Sequence, residues 1–70
     1  MKIPTPILKF ISTLGRRATR TTDNTIVVET VATDRMADAM AAAYEAGEKW
    51  FVAMANTSNG KVEYKFSYTA

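Results

Sequence analysis

The hydrophobic pattern of residues 49–69 predicts a β-hairpin around the turn dipeptide Asn59-Gly60. After this turn, apolar and polar residues alternate strictly, as in a strand with one buried face. The apolar positions are Val62, Tyr64, Phe66 and Tyr68. We therefore expect these four side chains to lie on one face of the last strand.

The register of this hairpin depends on the length of its loop. A loop of two or four residues would place Phe51, Ala53 and Ala55 on the aromatic face. A three-residue loop that ends at Gly60 would reverse the pairing. In both registers, residues 50–55 are apolar on both faces. This pattern predicts a central strand, covered on one face by a helix and on the other by a second helix or by a partner.

An alanine-rich segment predicts the main helix over residues 34–46. Thr33 suits the N-cap, Asp34 suits the first turn, and Gly47 suits the position that ends the helix. Apolar residues at spacings of three and four predict one buried stripe. Its members are Met36, Ala39, Met40, Ala43 and Tyr44.

A shorter amphipathic helix is predicted over residues 6–14, with Thr5 as its cap, Pro6 at its first position and Gly15 after its end. The apolar face at helical spacing contains Ile7, Leu8, Ile11 and Leu14, with Phe10 at its border. A helix of about nine residues is too short to be stable alone in water. We therefore expect it to dock on another surface.

Between the two helices, residues 17–31 are rich in Thr and Val, and Asp23-Asn24 is their turn dipeptide. Both turn residues tolerate positive φ. With these two residues as the loop, Thr21 faces Ile26, and Arg20 or Arg16 reaches Glu29 diagonally. A strand over residues 25–31 is predicted with or without this hairpin. Without a paired first strand over residues 17–22, the order of elements becomes β-α-β-β.

These segments together predict one α+β domain over residues 1–70, since a chain of this length does not support two cores. The expected architecture is a small antiparallel sheet of three or four strands. The main helix packs across this sheet, and a short helix precedes it. The full order is then α-β-β-α-β-β.

Charge is segregated along the chain. Residues 1–22 carry five basic and no acidic residues, whereas residues 23–70 carry four basic and seven acidic residues. The formal charges of the two parts are therefore +5 and −3. Such asymmetry steers a small domain toward a surface of complementary charge.

Composition argues against an enzyme. The chain has no cysteine and no histidine, so the commonest metal ligands and catalytic bases are missing. Asp34 and Asp38 lie one helical turn apart, but on an exposed face where they are poorly suited to general acid catalysis. The glycines match no phosphate-binding loop. We expect no catalytic residue, no cofactor and no metal site.

No apolar run approaches the roughly 18 residues needed to span a bilayer, and prolines and Lys9 interrupt the N-terminal apolar stretch. We therefore expect no signal peptide and a cytoplasmic location. An amphipathic helix followed by arginines also resembles an interfacial membrane anchor. We expect instead that the helix docks on the protein's own sheet, which buries the same apolar face without a membrane.

We interpret the chain as a non-catalytic binding protein, an adaptor or inhibitor that docks on a larger macromolecule, with a protein as the leading partner. Small proteins of this size and layout are frequent among phage-encoded factors that block host enzymes, which is an analogy of scale. Arginine is enriched at interface hot spots. The predicted contact residues are Arg16, Arg17, Arg20, Lys2 and Lys9.

Three alternatives remain open. Nucleic acid would bind the same basic residues through its phosphates, with steep salt dependence. For single-stranded nucleic acid, the aromatic row of Tyr64, Phe66 and Tyr68 with Phe51 would also offer a platform on which bases stack, although packing in the core explains this row better. A homo-oligomer would use the apolar strand and an open sheet edge. A membrane surface is the weakest candidate.

Overall fold

The six elements follow the predicted order in a computed structural model that describes residues 2–69. They are α1 (Thr5–Ser12), β1 (Arg17–Thr21), β2 (Thr25–Thr30), α2 (Met36–Ala46), β3 (Trp50–Asn56) and β4 (Val62–Tyr68). The four strands form one sheet in the order β1-β2-β4-β3, and all neighbours are antiparallel. The predicted α+β architecture is confirmed.

The β1–β2 hairpin has the predicted two-residue loop. Thr21 lies opposite Ile26, and the Thr22 N–H donates to the Thr25 carbonyl at 2.9 Å. Asp23 and Asn24 both keep negative φ, so the loop does not use the positive φ that these residues tolerate. The hairpin therefore forms at the predicted place with a different turn geometry.

The β3–β4 hairpin takes the register of the three-residue loop. The Thr57 N–H donates to the Lys61 carbonyl at 2.9 Å, so residues 58–60 form the loop. Gly60 ends it at φ +80°, a conformation that glycine adopts without steric cost. Val52 consequently lies opposite Phe66 on the core face, and Phe51 lies on the other face of the sheet.

The prediction of a central strand over residues 50–55 is wrong. β3 pairs with β4 alone and lies at an edge of the sheet, because β4 pairs with β2 on its other side. The apolar side chains of the two helices pack with Ile26, Val28, Tyr64 and Phe66, which share one face of the sheet. Both helices therefore lie on one side, and no described helix covers the opposite face.

α1 docks on the sheet, but its predicted face needs correction at one residue. Leu8 is 48% exposed, whereas the buried side chains are Ile7, Phe10, Ile11 and Leu14. Phe10 belongs to the centre of this face, because its ring packs edge-on against the ring of Tyr64 at 5.5 Å. The helix begins at Thr5 after Pro4, so Thr5 is not its cap.

α2 begins two residues later than predicted, at Met36, and Thr33 does not cap it. Its buried residues are Ala39, Ala42 and Ala43. Met40 and Tyr44 are exposed, so the predicted stripe is wrong at these two positions. The helix packs against α1 as well as against β3, which turns its small alanines toward two neighbours and moves the larger side chains outward.

Candidate macromolecule-binding surface

One cleft of the sheet collects three cationic side chains. They are Arg16, Arg17 and Lys61, which line a cleft of about 200 Å³ together with Ala18, Thr30 and Val31. Arg17 is the first residue of β1, Arg16 precedes it, and Lys61 directly precedes β4. We call the three cationic residues the basic end. Lys61 lies far from the two arginines in sequence, and only the β2–β4 pairing brings it there. Sequence reasoning therefore missed it.

The backbone at the basic end is held in place by Thr30. The Thr30 side chain is 1% exposed, and its hydroxyl donates to the Arg16 carbonyl at 3.3 Å and accepts from the Ala32 N–H at 3.1 Å. The Arg17 Nη1 donates to the Gly15 carbonyl at 2.7 Å. These bonds fix the chain between α1 and β1, so both arginines project from an anchored segment.

The residues that line this cleft include no aspartate or glutamate. Among residues 2–69, neither arginine of the basic end forms an ion pair. Guanidinium and ammonium groups bind carboxylates and phosphates through charge-assisted hydrogen bonds. The cleft is therefore chemically suited to an anionic group of a partner.

Arg20 lies apart from the basic end. Arg20 lies opposite Val27 of β2, on the face of the sheet that carries no described helix, which we call the helix-free face. Its Nη1 lies 3.4 Å from the Glu63 carboxylate there. The predicted diagonal contact was with Glu29; the ion pair that forms is with Glu63 instead. Glu29 and Glu63 face each other across β2 and β4, and like charges in that position repel. Arg20 thus partly offsets a repulsion within the sheet.

The two remaining predicted residues lie elsewhere. Lys9 on α1 lines a groove of about 280 Å³ between the helices, which also contains the acidic Asp38 and Glu45. Lys2 is exposed before α1. Of the five predicted basic residues, the structure therefore brings Arg16 and Arg17 together and separates the other three from them.

The aromatic row does not form an open platform. Tyr64 and Phe66 are fully buried under the helices, and Phe51 lies on the opposite face of the sheet. The apolar face of α1, which sequence reasoning also considered for a membrane, lies in the same core. No helix within residues 2–69 is long and apolar enough to cross a membrane.

Arg35 has a structural role at the junction of the two helices. Its guanidinium donates to the Asp38 carboxylate at 2.6 Å and to the Thr13 hydroxyl at 3.1 Å, and it lies 5.8 Å from the centre of the Phe10 ring. Arg35 thereby links the end of α1 to the start of α2. Asp38 is bound in this network, and no group of three metal-binding side chains occurs in the described part of the chain.

The chain matches no protein-family model, and no curated protein or solved structure is significantly similar to it.

Proposed function

We propose that this protein is a non-catalytic binding protein that docks on an acidic surface of a larger protein and acts as an adaptor or inhibitor. One observation carries the proposal. Arg16, Arg17 and Lys61 come from two distant parts of the chain and line one cleft without an acidic neighbour. An uncompensated cluster of this kind attracts carboxylates over a distance and then pairs with them directly.

The anchored backbone supports this role. Ordering an arginine on binding costs conformational entropy of both its side chain and its backbone. A backbone that is already fixed reduces the second of these costs. The Thr30 hydroxyl holds the backbone of Arg16, and the Gly15 carbonyl holds the side chain of Arg17, before any partner arrives. Binding then requires little ordering of the backbone at Arg16.

The test is a pull-down from cell lysate with two triple variants of equal charge. The first variant is Arg16→Ala, Arg17→Ala, Lys61→Ala, which removes the basic end. The control is Lys2→Ala, Lys9→Ala, Arg20→Ala, which removes three cations elsewhere. Both substitutions lower the formal net charge from +2 to −1. A difference between the variants therefore reports the position of the charges and not their number.

We expect a discrete protein that the wild type and the control retain, also after nuclease treatment, and that the first variant loses. Equal retention by both variants would contradict a contact at the basic end. Recovery of nucleic acid alone, with binding that weakens steeply as salt rises, would replace the proposal with nucleic-acid binding.

A further inference from the structure

A second surface, separate from the basic end, exposes large apolar side chains around the edge of β3. Tyr44 is 87% exposed, Met40 57%, Phe51 56% and Met54 41%. The first three line one open cleft of about 270 Å³ between α2 and β3. We call these four residues the apolar flank. Contiguous apolar surface, as in this cleft, marks an interface more often than single exposed side chains do.

The backbone of β3 offers unpaired hydrogen-bonding groups beside the apolar flank. Hydrogen-bonded pairs join Thr57 to Lys61 and Lys49 to Thr69 at the two ends of the β3–β4 hairpin. Bonded and non-bonded pairs alternate along antiparallel strands, so the odd-numbered residues of β3 bond to β4. The even-numbered residues point their N–H and C=O groups away from β4. The open edge therefore presents the backbone of Val52, Met54 and Asn56.

The two edges of the sheet differ in how they are protected. Proteins block edge strands with charged side chains, prolines, bulges or short length. β1 has five residues and carries Arg17 and Arg20. β3 has seven residues, carries no charged residue and no proline, and pairs with β4 without a bulge. β3 thus lacks the protection that β1 has.

We propose that β3 pairs with β3 of a second copy of this chain, antiparallel and centred on Ala53. This register uses all seven residues, because Trp50 then faces Asn56 of the other copy. The backbone N–H and C=O groups of Val52 that point away from β4 bond to those of Met54 in the other copy. The two-fold symmetry makes the pair of Met54 with Val52 of the other copy identical. Ala53 faces its own counterpart at the two-fold axis.

Side-chain sizes favour this pairing. On the helix-free face, the large Phe51 meets the small Ala55 of the other copy, so two bulky rings do not collide. On the helix face, Val52 meets Met54, and the exposed Met40 and Tyr44 extend the contact along α2. No like charges oppose each other, since Lys49 would lie opposite Thr57.

The available area is sufficient for a small stable dimer. With about 200 Å² for each large side chain, the apolar flank exposes on the order of 500 Å². A specific interface buries about 800 Å² per partner, and about 600 Å² at the lower end. The strand backbone and the exposed Ala53 and Ala55 supply the difference.

Sedimentation of matched edge variants tests the dimer. Ala53→Glu places like charges together at the two-fold axis, while each new carboxylate still faces Lys65 in its own sheet. Ala18→Lys is the control on the other edge, where the new ammonium group faces Glu29. We expect Ala53→Glu to weaken dimerisation on the order of 100-fold. Ala18→Lys should change it by less than about threefold.

Mixing Ala53→Glu with Ala53→Lys should restore a dimer, because the charges at the axis then attract. A wild type that stays monomeric at its highest soluble concentration would overturn the proposal and leave the apolar flank to a different protein. Equal dissociation constants for Ala53→Glu and the wild type would overturn it as well, since self-association would then use another surface.

Disulfide formation tests the register. The chain has no cysteine, so Ala53→Cys introduces one thiol per copy. The Cα atoms of directly opposed, non-hydrogen-bonded residues are about 4.5 Å apart, a distance that permits a disulfide. We expect Ala53→Cys to form a covalent dimer on oxidation. Ala55→Cys should not, because Ala55 faces Phe51 of the other copy. The opposite result would exclude pairing centred on Ala53.

Discussion

At the scale of single residues, the Tyr64 hydroxyl joins the core to the loop before α2. The side chain is fully buried, and its hydroxyl donates to the Ala32 carbonyl at 2.7 Å and accepts from the Arg35 N–H at 2.9 Å. Arg35 is the N-cap residue of α2, and its side chain makes no capping bond. The tyrosine therefore binds an N–H beside the helix start, where the predicted cap Thr33 has no such role.

Tyr64→Phe removes this hydroxyl and leaves the ring in place. We expect the free energy of unfolding to fall by about 1 to 3 kcal/mol, because a partly buried N–H and C=O both lose their partner. The melting temperature should fall by about 4 to 8 °C for each kcal/mol. Tyr44→Phe is the matched control, since Tyr44 is 87% exposed, and should change stability by less than about 0.5 kcal/mol. Equal melting temperatures for the two variants would exclude the role of the hydroxyl.

At the scale of elements, α1 is part of the core and not an appendage. Ile7 and Leu8 are adjacent, and their side chains are nearly equal in size, but Ile7 is fully buried and Leu8 is 48% exposed. Ile7→Ala should cost about 2 to 5 kcal/mol of stability. A 70-residue domain has roughly 4 to 10 kcal/mol in total, so this variant should be close to unfolding.

Urea denaturation followed by circular dichroism measures this effect, with Leu8→Ala as its control. We expect the control to lose less than about 1 kcal/mol, because half of its side chain already contacts water. Equal losses for the two variants would support the face predicted from sequence, which contains both residues, and would contradict the face in the structure.

The elements show what local patterns predict and what they leave open. The order of helices and strands and the register of β1 and β2 follow from periodicity and turn residues. The rotation of α2 and the edge position of β3 depend on which neighbours each element meets. Met40 has suitable spacing for the core, but α2 packs against α1 as well as against β3 with its alanines buried, and Met40 is exposed. Lys61 joins the candidate site for a similar reason, through pairing between distant strands.

At the scale of the whole molecule, the structure distributes charge differently from the sequence. The five basic residues of the first 22 form a block in the chain, but only Arg16 and Arg17 remain together in space, with Lys61 added. In the proposed dimer, the two β1 strands lie at the outer edges of an eight-stranded sheet. Each dimer would then present two basic ends to an extended acidic surface, and binding at both would raise the apparent affinity.

Elution from a polyanion column such as heparin tests whether clustering matters beyond total charge. The two triple variants used for the pull-down have the same net charge. If a polyanion recognises a local cluster, the variant without the basic end should elute at lower salt than the variant without Lys2, Lys9 and Arg20, since it releases fewer counterions on binding. Coincident elution of the two variants would mean that net charge alone sets the interaction, and the cleft at the start of β1 would lose its special role.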